Sequence, residues 1–104
     1  MYKVLGQSKP TAATNSDLYT VPAGKEAVVS TLSICNQGAS ASFRVAVRPA
    51  GATLADQHYI VYDAALNASD ALFLTVGLTL EAGDVVTVYA NTADVSFGLF
   101  GSEI

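Results

Sequence analysis

The chain has 104 residues, enough for one domain (residues 1–104) but not for a catalytic domain beside a binding domain. Hydrophobic residues make up 51% and charged residues 13%, with a net charge of -4. Because its basic residues form no run and no apolar run approaches ~20 residues, we expect neither a nucleic-acid partner nor a membrane helix. So little charge indicates that part of the surface is buried against other subunits.

Alternation of apolar and polar residues with a period of two dominates the chain, and no apolar stripe has helical spacing. Weak strands are predicted at residues 2–5 and 18–21. A stronger strand is predicted at residues 28–35, with the even-numbered positions from Val28 to Ile34 facing inward. One face of this strand is therefore expected in the core and the other is expected to be half covered.

Residues 42–48 alternate more regularly, because Phe43, Val45 and Val47 face one way and small or basic residues face the other. Residues 36–40, with sequence Asn-Gln-Gly-Ala-Ser, supply turn chemistry between this strand and the preceding one. The pattern predicts a hairpin.

The second half of the chain adds four strands. A short strand is predicted at residues 58–62, bounded by Asp63, and a longer one at 72–80, whose even-numbered leucines and valine face a core. Residues 85–89 and 95–100 are predicted to form a terminal hairpin.

Seven or eight strands separated by turn signals predict an all-β fold, a single antiparallel β-sandwich. Immunoglobulin domains have a Cys-Trp-Cys pattern, whereas this chain has only Cys35 and no tryptophan. A jelly-roll-like sandwich is therefore favoured. A single cysteine cannot close an intrachain disulfide, so we expect packing alone to hold the fold.

The sequence offers little for catalysis. His58 is the only histidine, so any triad would depend on it, and a multi-histidine metal site within the chain is excluded. The aspartates lie beside predicted turns without the spacing of a calcium loop, which favours turn formation. We expect no enzyme activity, no cofactor and no metal.

Candidate contact residues fall into two groups. Phe73 projects from the strand face opposite the leucines, where it either anchors a partner or covers a second small core, and Arg44 and Arg48 are suited to bridging acidic neighbours. Tyr59 and Tyr62 are candidates for stacking on sugar rings, although tyrosines at strand positions are more often ordinary sheet residues.

Four ordered segments, residues 19–38, 43–51, 58–63 and 97–104, resemble a small virion protein of tailed bacteriophages. The resemblance implies a non-enzymatic structural subunit that decorates or cements the capsid, or that forms part of the tail, neck or baseplate. It brings no catalytic residues.

The resemblance and the low charge together predict a homo-oligomer, with a trimer as the first expectation. It would be made in the host cytoplasm and incorporated in the virion beside capsid or tail subunits. The alternative is a carbohydrate-binding or host-adhesion module, in which Tyr59, Tyr62 and loop carboxylates form an exposed site.

Overall fold

A computed structural model describes residues 2–104, apart from the side chain of Val76, so the inward position predicted for Val76 lies outside the described residues. The alternating segments form strands, and two short 3₁₀ turns, Pro49–Gly51 and Asp56–His58, connect two of them. The strands are β1 (Tyr2–Ser8), β2 (Ser16–Thr20), β3 (Ala27–Asn36), β4 (Ala41–Arg48), β5 (Tyr59–Leu66), β6 (Ala71–Leu80), β7 (Val85–Ala90) and β8 (Val95–Glu103).

The strands form two antiparallel four-stranded sheets. The first sheet has the order β1-β8-β3-β6 and the second has the order β2-β7-β4-β5. The first strand pairs with the eighth, the second with the seventh, the third with the sixth and the fourth with the fifth. These four pairs form one long antiparallel ribbon. The ribbon is rolled up so that β3 also pairs with β8 and β4 also pairs with β7, which makes the fold a jelly roll. The predicted fold class is confirmed.

Both predicted hairpins, one over residues 28–48 and one over residues 85–100, are wrong. β3 and β4 lie in different sheets, and so do β7 and β8. The physical reason at the first turn is Asn36, a buried side chain whose Nδ2 donates to the carbonyl oxygens of Ala39 at 2.8 Å and Asn67 at 3.0 Å. Asn36 thereby fixes a corner at which the chain crosses between sheets.

A register shift between Val29 and Thr31 changes the predicted inward phase of β3. Val29 is fully buried and Val28 is half-buried, the reverse of the prediction, whereas Leu32 and Ile34 are buried as predicted. An extra residue in one strand of a ladder moves the side chains that follow to the other face, so alternation at one end of a strand does not fix the other end.

The core lies between the two sheets and consists mainly of valine, leucine and alanine side chains. Phe43 of β4 and Phe97 of β8 meet there edge to face, with ring centroids 6.3 Å apart, and thus join one sheet to the other. No helix within residues 2–104 is long and apolar enough to cross a bilayer.

Candidate interaction surfaces

The outer surface of the first sheet is uncharged across all four strands. Its side chains lie in cross-strand rows, of which the two central ones are Val4, Phe100, Thr31, Thr75 and Gln7, Gly98, Ser33, Phe73. Lys3 points away from these rows and forms an ion pair with Glu103 at 3.5 Å. We call this surface the uncharged face.

Phe73 is the most exposed large hydrophobic residue of β6, with 69% of its surface accessible. Thr75, Gly77 and Thr79 of the same strand are also exposed. Phe73 therefore covers no second core within the described chain. Tyr2 and Val4 add further exposed apolar surface, 72% and 51% accessible, on β1 at the opposite edge of the same face. Exposed apolar side chains at both edges of a face without charge are typical of a surface that contacts other proteins.

β6 ends the first sheet, so the hydrogen-bonding groups along its outer edge have no neighbouring strand. The strand runs for 10 residues, from Ala71 to Leu80, without a charged residue or a proline. Leu80 is buried, Leu74 and Leu78 are half-buried and Leu72 is 36% exposed, so burial on the inner face decreases toward Leu72. We call this strand the free edge.

The second sheet carries a different surface, which is organised around Arg44. Phe43 pairs with Ala64 and Val45 pairs with Val61, so that two residues of β5, Tyr62 and Asp63, lie opposite the single residue Arg44. Asp63 adopts a φ of 51°, a left-handed conformation that aspartate tolerates better than most residues. This β-bulge directs both side chains of β5 toward the guanidinium.

Arg44 has three partners in this position. Its Nε donates to Asp63 Oδ1 at 2.6 Å and its Nη2 donates to Asp63 Oδ2 at 3.2 Å, a bidentate pair. The guanidinium carbon lies 4.3 Å from the ring centroid of Tyr62 and 4.4 Å from that of Tyr89. The hydrogen bonds to Asp63 raise the pKa of Arg44, and the same bonds lower the pKa of Asp63.

Arg48 lies on the same sheet and is also engaged within the chain. Its Nη2 donates to Asp17 Oδ1 at 2.9 Å and its Nε donates to Thr87 Oγ1 at 3.0 Å. Thr87 Oγ1 in turn donates to the same Asp17 oxygen at 3.1 Å. Each of the two arginines is therefore paired with an aspartate of its own chain.

Tyr59 and Tyr62 lie together on β5, as the sugar-binding hypothesis requires. Their rings meet edge to face with centroids 5.0 Å apart, and with Asp56 they line an open depression of about 450 Å³. Tyr62 is 59% exposed. An exposed aromatic ring beside a carboxylate provides a stacking surface and a hydrogen-bond acceptor for sugar hydroxyls.

The remaining polar candidates have structural roles. His58 Nδ1 accepts a hydrogen bond from the Ala55 backbone N–H at 3.1 Å, which occupies one ring nitrogen in the turn before β5. Asp84 accepts backbone N–H bonds from Ala50 at 2.8 Å and Glu81 at 2.9 Å, as predicted for a turn aspartate. Within residues 2–104, no three histidine, cysteine or acidic side chains cluster as metal ligands.

The predicted contact residues do not form one patch, because Phe73 lies on the first sheet whereas Arg44 and Arg48 lie on the second. The sequence did not predict Asp63 and Tyr89 as partners of Arg44. Asp63 is predicted to bound a strand, but β5 continues to Leu66. An aspartate inside a β-branched and aromatic run was the available signal for a bulge.

Comparison of the chain with protein-family models, with curated proteins and with solved structures gives no match.

Proposed function

We propose that the protein is a non-enzymatic structural subunit of a bacteriophage particle that acts through association as a homo-oligomer. The observation that carries the proposal is the uncharged face, which exposes Phe73, Tyr2 and Val4 to solvent in the isolated chain. Covering such a surface releases apolar area from water without removing a charge from water. The resemblance of the sequence to small virion proteins supports the phage particle as the place where the association occurs.

The charge distribution supports association through this surface. The chain carries a net charge of -4, so two copies repel one another wherever their acidic residues meet. Since the uncharged face has no charged side chain to repel a copy, association there escapes that repulsion. For the same reason, added salt is expected to leave the association intact or strengthen it.

The size of the face sets a limit on what it does alone. Four strands spaced ~4.8 Å apart and ~30 Å long form a face of roughly 500–600 Å². A standard interface buries about 800 Å² per partner. A stable oligomer therefore needs a neighbouring part of the surface as well as the face.

The solution mass, measured by light scattering over a range of protein and salt concentrations, tests the proposal. We expect a closed oligomer that persists in high salt and that Phe73→Lys dissociates, because the ammonium would lose its water in the contact. Tyr62→Lys, an equally drastic change at an exposed aromatic on the second sheet, is the matched control and should leave the mass unchanged. A monomer at all concentrations would contradict self-association.

Incorporation in the particle needs its own measurement. We expect quantitative mass spectrometry of purified particles of the encoding phage to find the chain in a fixed ratio to the major shell or tail protein. Absence of the chain from particles that contain all other structural proteins would overturn the virion assignment.

A second candidate function, carbohydrate binding for host adhesion, is favoured by the depression lined by Tyr59, Tyr62 and Asp56. Screening on a glycan array tests it. If a glycan binds there, Tyr62→Ala should abolish binding, and Tyr2→Ala, which removes an exposed tyrosine from the other sheet, should not. Equal loss in both variants would show that binding does not use this depression.

A further inference from the structure

The free edge differs from the other three edge strands of the sandwich in charge. β1 contains Lys3, β2 contains Asp17 and β5 contains Asp63, whereas β6 contains no charged residue over 10 residues. Charges on edge strands keep them from pairing with the strands of other molecules. β6 lacks this protection and has the length and composition of a strand that has a partner.

We propose that β6 pairs antiparallel with β6 of a second copy around a twofold axis at Thr75, which extends the first sheet from four strands to eight. This inference rests on the proposed self-association and assigns it to the free edge together with Phe73 of the uncharged face, while Tyr2 and Val4 at the opposite edge of the sheet stay exposed. A second copy is the occupant that the charges favour, because the free edge is neutral while the chain as a whole is acidic. A twofold contact predicts a dimer or an even-numbered oligomer in place of the trimer expected from the sequence.

The register follows from the faces of the strand. Residues directly opposite one another in an antiparallel ladder point to the same side of the sheet. An axis perpendicular to the sheet keeps both sandwiches on the same side, so odd-numbered residues must face odd-numbered ones. Leu74 and Leu78 keep the same inward phase on both sides of the register shift that β6 makes against β3, so this rule holds on either side of it. With the axis at Thr75, the two copies of Thr75 face each other and Leu72 faces Leu78 of the second copy.

This register also gives Phe73 a place. Phe73 then lies opposite Gly77 of the second copy, on the uncharged face. An added Cβ at Gly77 would meet no atom within 4 Å in the isolated chain, so the space above this glycine is open. An aromatic ring placed across a strand pair from a glycine covers the exposed backbone there. The exposed phenylalanine and the uncovered glycine are therefore complementary halves of one contact.

Single cysteines test the axis directly. In a Cys35→Ser background, needed because Cys35 is exposed, Thr75→Cys brings two thiols together at the axis. The Cα atoms of opposite residues in antiparallel strands are ~4.5–5.5 Å apart, within the ~4.4–6.8 Å that a disulfide spans. Thr79→Cys is the matched control on the same strand and face, since its two copies would be ~27 Å apart at ~3.4 Å per residue.

We expect mild oxidation to give a disulfide-linked dimer with Thr75→Cys in a yield at least about tenfold above that with Thr79→Cys. Charge variants provide the second measurement. Thr75→Lys places two ammonium groups opposite one another and should raise the dimer Kd at least about tenfold, whereas Thr79→Lys faces Ala71 and should change it little.

Equal cross-linking of the two cysteine variants, or an equal response to the two lysines, would overturn β6 pairing. If the wild-type chain were still oligomeric, the proposed self-association would stand and would use another surface. A wild-type chain that stays monomeric at every concentration would overturn both.

Discussion

Strands β5 and β6 follow one another in the chain and each ends one of the two sheets, yet their surfaces are built differently. β5 is bulged opposite Arg44, and its Asp63 is paired with that arginine. β6 is uncharged, and its Phe73 extends into solvent. The difference is that the outward Arg44 and Asp63 of the second sheet are paired with each other within the chain, while the outward Phe73 of the first sheet is exposed.

The difference between β5 and β6 depends first on the position of the connection between them, which Asn36 contacts. Asn36→Ala removes the donors to Ala39 and Asn67, the second of which lies in the connection between β5 and β6. Since it removes two part-buried hydrogen bonds of a buried side chain, we expect the free energy of unfolding in urea to fall by about 1–3 kcal/mol. Asn36→Asp, which keeps the acceptor for the Gly38 N–H but not the donors, should be destabilising too. Unchanged stability of both variants would mean that the corner is held by other contacts.

Alkaline pH should weaken a different link between the sheets. Burial, and then the hydrogen bond that Tyr19 of β2 donates to Glu103 of β8 at 2.8 Å, raise the pKa of Tyr19 from 10.0 to about 12. Because the folded state holds this proton more tightly, the stabilisation is complete below pH 10 and is lost as the pH rises through about 12. At about 1.4 kcal/mol per pKa unit, reduced by solvent screening around the hydroxyl, the loss is of the order of 1–2 kcal/mol.

Urea unfolding between neutral pH and pH 12 measures this loss. In Tyr19→Phe we expect lower stability at neutral pH, because the hydrogen bond is absent, and a flatter alkaline profile. A Tyr19→Phe profile that is as steep as the wild-type profile would assign the alkaline loss to other groups.

Alanine substitution at one residue of each sheet tests this difference between the sheets. Arg44→Ala removes the pair with Asp63 and both tyrosine contacts, so we expect the Tm to fall by a few degrees, while the oligomer mass stays the same. Phe73→Ala should leave the Tm of the monomer unchanged and weaken association. Calorimetry is done at concentrations at which each chain is monomeric and light scattering at higher ones, because weaker association by itself lowers the Tm of an oligomer. A change of both quantities by either variant would then contradict the comparison.

Acid should produce the smallest effect and should act on the second sheet. The hydrogen bonds from Arg44 lower the pKa of Asp63, so its contribution to stability is present above the ordinary value of 3.8 and is lost as the pH falls through the lowered value. Asp63→Asn should be less stable than the wild type at neutral pH and should lose less stability on acidification. Glu103 is a second group that contributes to the loss of stability in acid, since the hydrogen bond from Tyr19 lowers the pKa of Glu103 below its ordinary 4.5. Comparing Glu103→Gln with Asp63→Asn distinguishes the contributions of the two carboxylates.

The sequence predicted the elements of the fold better than their connections. Alternation in β6 and β4 correctly identified the strands and their faces, because a period of two is a local property that burial enforces. The turns after β3 and β7 were read as hairpins, because asparagine, glycine and aspartate reverse a chain equally well within a sheet and between sheets. After β3, the buried side chain of Asn36 fixes the crossing between the sheets, and its burial is a tertiary property.

The candidate surfaces were predicted in part. Phe73 was recognised because it breaks the polar side of an alternating strand, and this signal is visible in one segment. The environment of Arg44 was not recognised, because Asp63 and Tyr89 lie on other strands, 19 and 45 residues later in the chain. A bulge in β5 brings Asp63 opposite Arg44. Pairs of this kind depend on register, which no single segment encodes.

The pairing of the last strand with the first has a consequence for synthesis. β8 lies between β1 and β3 in the first sheet, and it leaves the ribosome after the other seven strands. Until then, β1 has no partner in its sheet and β3 has one side open, so the nascent chain exposes unpaired strand edges in addition to β6. Folding must wait for these distant segments to meet, which makes the jelly roll slow to form and leaves newly made chains open to aggregation.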